Sequence, residues 1–248
     1  MEEFLNKIHH GDSQELLQKL PESCIDLTVT SPPYKDEDNY SPNLIKNVFT
    51  EIFRVQKDNS LVFVNFGHLA GFKSRPFQVA MMLEEIGFVW QDTITWVKNH
   101  YRPIQGKKRV NNLTEFVFMF SKGKNYELDR LSIGVPYKDK SNVNRFAGGL
   151  DLKCQGNVWD IPYETIQRSE DKGHNDRYPL GLPMNCIKLS GIPQGSLVLD
   201  PFGGSATTAI ACIDLAMKWI LIEKNKEHVD NGRERISLWE KALDSKLF

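Results

Sequence analysis

The sequence lacks the features that most quickly assign a protein to a class. Its four cysteines are scattered without a CxxC pair, which excludes a disulfide framework and a zinc site of ordinary spacing. Its most apolar runs, at 61–66 and 197–200, are too short to cross a bilayer. The first residues, MEEFLNKIHHGD, contain no apolar stretch and predict no signal peptide. We therefore expect a cytoplasmic protein with no membrane partner.

An excess of charge of one sign is also absent. The 31 Lys and Arg residues balance 32 Asp and Glu residues, for a net charge of −1. A nucleic-acid partner would therefore have to be held by a local concentration of positive charge. With 248 residues, of which 40% are hydrophobic, the chain can bury the core of one domain. This composition excludes disordered, collagen-like and coiled-coil proteins.

Short β-rich runs alternate with stretches of helical spacing. The runs are almost continuously apolar, as strands buried on both faces of a sheet are. The predicted strands cover 24–30, 61–66, 93–98, 115–120, 196–200 and 219–223, and the predicted helices cover 43–57, 76–87, 205–217 and 225–245. This alternation predicts an α/β fold with a largely parallel sheet.

Two segments interrupt the alternation. Residues 122–183 are rich in Gly, Asn, Asp, Lys and Pro, which predicts a loop-rich insertion rather than more sheet. Residues 98–112, which we call the basic island, contain five Lys or Arg residues, one His and no acid. A solvated loop and a phosphate-binding loop are both consistent with this segment.

The first motif with chemical content is Ser31-Pro32-Pro33-Tyr34, directly after the predicted strand 24–30. Its two prolines stiffen the backbone and leave carbonyl acceptors facing outward. The Ser31 hydroxyl and a motif carbonyl can accept hydrogens from a planar ring that bears an exocyclic amine, while Tyr34 lies on the ring face. A rigid turn after a strand is the alternative interpretation.

The second motif is DPFGGSATT at 200–208, which follows a predicted strand and opens a helix. Gly203 and Gly204 permit a tight turn, and Ser205 is predicted to cap the helix, whose free N–H groups favour a ligand carboxylate. The motif has neither the lysine of a P-loop nor the spacing of GxGxxG. Glu223 ends the next predicted strand, where a carboxylate commonly binds the ribose hydroxyls of an adenosine-type cofactor. An ordinary strand–turn–helix is the alternative.

Together the two motifs resemble those of the S-adenosylmethionine-dependent amino-methyltransferases of DNA, in the β-class order with the catalytic motif first. Other segments of this chain resemble further sequence blocks of that family, namely Gly11-Asp12, 60–67, 94–99, 113–122 and 157–162. The segment 174–189 resembles the block that precedes the cofactor motif, although Asn-Asp follows His174 and Tyr178 replaces Phe. Ala206 replaces a commoner glycine, a change that we expect the turn to tolerate.

The resemblance implies a Rossmann-like methyltransferase fold with a mostly parallel seven-stranded sheet and a circularly permuted motif order. One domain, 1–248, would contain a target-recognition insertion at 122–172. The implied catalytic residues are Ser31, Pro32, Pro33 and Tyr34. The expected S-adenosylmethionine contacts are Asp12, Asp200, Pro201, Phe202, Gly203, Gly204, Ser205, Thr207 and Glu223, and no metal is expected.

The implied methyl acceptor is an exocyclic base nitrogen in double-stranded DNA, reached by flipping the base out of the helix. Within the family SPPY is associated mostly with cytosine N4 and DPPY mostly with adenine N6. We therefore favour cytosine N4, with adenine N6 as the first alternative. Three more functions stay open from the sequence: a protein or RNA methyltransferase of the NPPY type, a nicotinamide-dependent oxidoreductase and a non-catalytic DNA-binding module.

The basic island and two cations before it supply the predicted phosphate contacts. These residues are Lys73, Arg75, Arg102, Lys107, Lys108 and Arg109. Segment 122–172 is predicted to read base edges, because phosphate contacts carry no sequence information. The sequence leaves open the recognition site, the formation of a homodimer and the presence of a cognate restriction endonuclease.

Overall fold

A computed structural model describes residues 1–34, 42–68, 73–99, 108, 110–141, 143, 149–162 and 177–245. The strands in these residues are β1 (Lys7–His10), β2 (Ile25–Thr30), β3 (Gln56–Gly67), β4 (Val89–Val97), β5 (Thr114–Ser121), β6 (Val158–Asp160), β7 (Leu197–Asp200) and β8 (Lys218–Glu223). The helices are α1 (Ser13–Leu17), α2 (Pro42–Val55), α3 (Arg75–Ile86), α4 (Gly181–Ser190), α5 (Thr207–Asp214) and α6 (Lys226–Asp244). No helix among the described residues combines the length and apolarity that a membrane span requires.

The strands form one sheet in the order β1-β8-β7-β2-β3-β5-β4-β6. Strand β5 pairs antiparallel with β3 and β4, and the other five pairings are parallel. The predicted α/β fold with a mostly parallel sheet is therefore confirmed. The described residues give eight strands where seven were expected. The two strands that the sequence pattern did not show, β1 and β6, are four and three residues long, too short for a visible period.

Helices cover both faces of the sheet. On β3, Leu61 and Phe63 point into the core formed with α4, α5 and α6, whereas Val62 and Val64 point into the core formed with α1, α2 and α3. All four side chains are almost fully buried. Because neighbouring residues of one strand are buried on opposite faces, the strand reads as a continuous apolar run.

The prediction that 122–183 adds no sheet is wrong at β6. This strand pairs in parallel with β4, and its Trp159 is fully buried in the core. The Trp96 indole of β4 also donates a hydrogen bond of 2.8 Å to the carbonyl of Ile161. Residues 158–160 of the predicted target-recognition insertion are therefore part of the sheet, although a strand of three residues gives no visible period in the sequence.

The strand order places the two motifs side by side. Strand β2 lies between β7 and β3 and is parallel to both. The carboxyl ends of β2, β7 and β8 therefore meet at one edge of the sheet, where ligands of open α/β sheets bind. Ser31 follows β2, the DPFGG turn follows β7, and Glu223 ends β8.

Candidate active site

Asp200 joins the two motifs. Its carboxylate accepts hydrogen bonds from the hydroxyl of Thr30 at 2.7 Å, the hydroxyl of Thr208 at 2.6 Å, the amide of Phe202 at 3.1 Å and the hydroxyl of Tyr178 at 3.1 Å. The residue is 1% exposed. Asp200 thus fixes the end of β2, the turn after β7 and the start of α5 relative to one another. A direct cofactor contact by Asp200 stays a prediction.

The four groups that donate hydrogen bonds to Asp200 are all polar and uncharged. Burial raises the pKa of Asp200 above its usual value of 3.8, and the hydrogen bonds from its four donors offset part of that increase. Burial and the nearby Asp200 charge raise the pKa of Tyr178 well above 10.0, so this hydroxyl stays protonated as a donor. Tyrosine in place of the family's phenylalanine therefore adds one hydrogen bond to the carboxylate.

Glu223 lies beside the glycine turn. The amide of Gly204, which has a left-handed φ of 46°, donates to Glu223 Oε2 at 2.9 Å. Glu223 Oε1 accepts from the amide of Asn225 at 2.7 Å. The hydroxyl of Ser13 donates to the carbonyl of Pro201 at 2.6 Å and ties α1 to the same turn. A carboxylate is thereby held beside the turn that a nucleoside ligand would approach.

The start of helix α5 differs from the prediction. Ser205 was expected to cap the helix, but Ala206 is the N-cap residue and no side chain makes a capping hydrogen bond. Ser205 precedes that position by one residue, and its hydroxyl lies 3.4 Å from the Thr207 hydroxyl. Ala206 adopts a left-handed φ of 63°, a conformation that costs an L-residue roughly 1–2 kcal/mol. This geometry explains why glycine is the commoner residue of the family here.

Asp12 begins α1 at the same edge of the sheet. Its carboxylate caps the helix by accepting from the amides of Gln14 at 3.0 Å and Glu15 at 3.4 Å. Lys224 Nζ lies 3.7 Å from its other oxygen. The amide of the preceding Gly11 donates to the carbonyl of Glu223 at 3.0 Å, which brings Asp12 close to the predicted ribose site.

These groups fit S-adenosylmethionine by their chemistry. The Glu223 carboxylate suits the two ribose hydroxyls. The N-terminus of α5, with no side-chain cap, suits the carboxylate of the methionine part. Phe202 is partly buried beside the turn, and Thr207 is buried at the first position of α5. The individual cofactor contacts stay predictions.

The Ser31–Tyr34 motif packs against two polar residues that the sequence analysis did not select. Ser31 Oγ lies 3.0 Å from the Tyr34 hydroxyl and 3.4 Å from Asn65 Oδ1. The Tyr34 hydroxyl also contacts Asn65 Oδ1 at 3.0 Å and Glu115 Oε2 at 3.3 Å. The Tyr34 ring stacks on Phe66 with a centroid distance of 4.5 Å. The sequence does contain a signal for these two residues. Asn65 is the polar residue within the apolar run 61–66, and Glu115 is the first residue of the apolar run 115–120.

The predicted phosphate-binding residues are only partly described. Lys73 and Lys108 are exposed, whereas Arg75, the first residue of α3, is 9% exposed. Lys98, at the start of the basic island, is paired with Glu115 at 2.8 Å. The residues that lie outside the described part of the chain are Arg102, Lys107, Arg109 and also His174. The phosphate contacts stay predictions.

Comparison with known proteins gives a family. The N6/N4 model described as "DNA methylase" matches residues 25–234. The type II methyltransferase M.SmaI of Serratia marcescens is 29% identical, over 93% of this chain and 90% of that protein. The DNA adenine methyltransferase YhdJ of Escherichia coli is also 29% identical, over 93% of this chain and 82% of that protein.

Two solved structures share the architecture. The cytosine-N4-specific PvuII DNA methyltransferase superposes with a TM-score of 0.72 at 24% identity, over 91% of this chain and 84% of that chain. The M1.HpyAVI–SAM complex superposes with a TM-score of 0.65 at 26% identity, over 93% and 98%. The match to the family model covers most of the chain, including both motifs. The chain therefore belongs to the N6/N4 family of DNA methylases and is a methyltransferase that uses S-adenosylmethionine.

Proposed function

We propose that this DNA methyltransferase modifies the exocyclic N4 of cytosine, at a specific site in duplex DNA, after flipping the base out of the helix. The observation that carries the proposal is the position of Ser31. Its neutral hydroxyl lies beside the neutral amide of Asn65, and β2, which precedes it, is the neighbour of β7, which precedes the DPFGG turn. Within the family SPPY is associated mostly with cytosine N4, and the PvuII enzyme is cytosine-N4-specific. The adenine activity named for YhdJ keeps adenine N6 as the alternative.

The reaction requires little of the protein beyond alignment and charge stabilisation. S-adenosylmethionine supplies an electrophilic methyl group on a sulfonium. The exocyclic nitrogen is a poor nucleophile because its lone pair is delocalised into the ring. Hydrogen bonds from this nitrogen to Ser31 Oγ and a motif carbonyl favour a tetrahedral nitrogen and stabilise its developing positive charge. Stacking on Tyr34 would hold the flipped base with roughly 1–3 kcal/mol.

The proposal is tested by nucleoside analysis. Unmethylated genomic DNA is incubated with the protein and S-adenosylmethionine carrying a labelled methyl group, digested to nucleosides and analysed by mass spectrometry. We expect labelled N4-methylcytosine. Labelled N6-methyladenine instead would show that the protein modifies adenine N6 and that the cytosine proposal is wrong. A label in neither nucleoside would contradict the assignment to an exocyclic base nitrogen.

A second prediction concerns Glu223. Replacing it with alanine should weaken S-adenosylmethionine binding by about 1–3 kcal/mol, because charged hydrogen bonds to the ribose are lost. Isothermal titration calorimetry measures the change. Glu227→Ala, at an exposed position of the first turn of α6, is the control and should leave the affinity unchanged. If Glu223→Ala bound S-adenosylmethionine with unaltered affinity, the predicted contact between Glu223 and the ribose would be wrong.

A third prediction concerns the described cations Lys73 and Lys108. If each contacts one phosphate, the double variant Lys73→Gln/Lys108→Gln should flatten the slope of log K against log salt by roughly 1.8, at about 0.9 per contact. Lys218→Gln, at the opposite, amino end of β8, is the control. Binding of duplex DNA is measured by fluorescence anisotropy across a salt series. A slope equal to that of the control would contradict both contacts.

A further inference from the structure

The Tyr34 hydroxyl connects the catalytic serine to a carboxylate on another strand. Ser31 Oγ and Asn65 Oδ1 each lie 3.0 Å from it, and Glu115 Oε2 lies at 3.3 Å. Ser31 and Tyr34 follow β2, Asn65 belongs to β3 and Glu115 to β5. Four oxygen atoms, from the segment after β2 and from strands β3 and β5, therefore meet at the Ser31–Tyr34 motif.

The directions of these hydrogen bonds follow from counting protons. The Asn65 amide nitrogen donates to the carbonyl of Phe116 at 3.0 Å, so its oxygen faces the two hydroxyls and can only accept. The Glu115 carboxylate is also an acceptor only. Ser31 and Tyr34 contribute one proton each, and a charged acceptor makes the stronger bond. In the preferred arrangement the Tyr34 hydroxyl therefore donates to Glu115, and the Ser31 hydroxyl donates to the Tyr34 oxygen or to Asn65 Oδ1.

Tyr34 is suited to remain the donor in this chain. Burial, together with the nearby charge of Glu115, raises the pKa of Tyr34 well above its usual value of 10.0. The hydroxyl therefore keeps its proton throughout the working pH range. With the Ser31 proton directed towards Tyr34 or Asn65, the Ser31 lone pairs are left for an N–H donor of the substrate.

Lys98 fixes the carboxylate in place. Its ammonium lies 2.8 Å from Glu115 Oε1, and the two side chains are 16% and 15% exposed. The other oxygen of Glu115 is thereby left for Tyr34. Gly67 permits the approach, because a Cβ there would lie 2.8 Å from the Tyr34 ring and 3.1 Å from the Glu115 carboxyl carbon. The lack of a side chain at position 67 therefore leaves the space in which Tyr34 contacts Glu115.

We propose that Glu115, anchored by Lys98, is a positioning residue that acts through the Tyr34 hydroxyl to keep Ser31 an acceptor for the amine of the target base. This inference rests on the proposed function of Ser31. Without the charge at position 115, the Tyr34 proton turns to Asn65 Oδ1, where it competes with the Ser31 proton, or to Ser31 Oγ itself. Ser31 then points its own proton towards the substrate nitrogen for part of the time, and methyl transfer slows.

A double-mutant cycle tests the proposal. Single-turnover methyl transfer into DNA is measured for the unaltered chain, Glu115→Gln, Tyr34→Phe and the double variant, with rates expressed per cofactor-binding site. Phenylalanine keeps the ring and removes only the hydroxyl. We expect each single variant to be slower by about tenfold, since an indirect contact contributes less than a direct transition-state donor. The double variant should be no slower than Tyr34→Phe, because both changes remove one connection.

The control is Glu51→Gln on α2, whose carboxylate pairs with Arg54 and is similarly buried, at 18% exposed. It should transfer methyl at the unaltered rate. A double variant about a hundredfold slower than the unaltered chain, or a Glu115→Gln rate equal to that of Glu51→Gln, overturns the proposal while the function stands. An unaltered chain that transfers no methyl to DNA overturns the proposed function and this inference with it. Counting total incorporated methyl makes the readout independent of which base is modified.

Discussion

Replacing Ser31 with alanine is expected to slow methyl transfer by about 100-fold or more while leaving S-adenosylmethionine binding intact. The hydroxyl is an acceptor that matters most when positive charge develops on the substrate nitrogen, so its loss raises the barrier rather than the dissociation constant. The local fold should tolerate the change, because Ser31 is only partly buried. Single-turnover kinetics and cofactor titration separate the two effects.

The matched comparison for Ser31 is Ser60→Ala. Ser60 lies towards the amino end of β3, away from the carboxyl-end edge that carries the motif. Its loss should change neither the rate nor the affinity. If Ser31→Ala kept its turnover and lost cofactor affinity instead, the hydroxyl would belong to the cofactor site and the acceptor role would be wrong.

Asp200→Ala is expected to lower the free energy of unfolding by about 3 kcal/mol or more. Three hydroxyls and one amide lose their buried acceptor at once, and each unsatisfied donor costs roughly 1–3 kcal/mol before any relaxation. The turn after β7 also loses its link to β2, so cofactor affinity should fall in the folded fraction. Urea unfolding followed by circular dichroism gives the first quantity, and calorimetry at low temperature gives the second.

The raised pKa of Asp200 also predicts a pH dependence. The native state holds the proton at pH values where the unfolded chain has released it, so stability contributed by this residue falls as pH rises from 3.8 through the raised native value. Asp200→Asn cannot titrate. Its free energy of unfolding, measured relative to the unaltered chain, should therefore rise over that pH window. A difference that stays constant with pH would show that folding does not raise the pKa of Asp200.

The sequence by itself determined the fold class and the two motifs. Strands buried on both faces must be apolar at nearly every position, so 61–66 and 115–120 were visible without any tertiary information. The motifs were visible because prolines and glycines at strand ends constrain the backbone locally. The start of α5 was less visible, since Ala206 adopts a left-handed conformation that is uncommon for alanine.

Only the tertiary structure decided which residues meet. Thr30 and Asp200 are hydrogen-bonded because β2 lies beside β7, although 170 residues separate them. Glu115 reaches Tyr34 because β5 returns antiparallel alongside β3, and no local pattern specifies that pairing. Side-chain periodicity reports burial within one strand, whereas contacts between strands depend on the order in which the whole sheet assembles. The sequence therefore identified the groups that carry the chemistry, and the sheet order selected the residues that hold them in place.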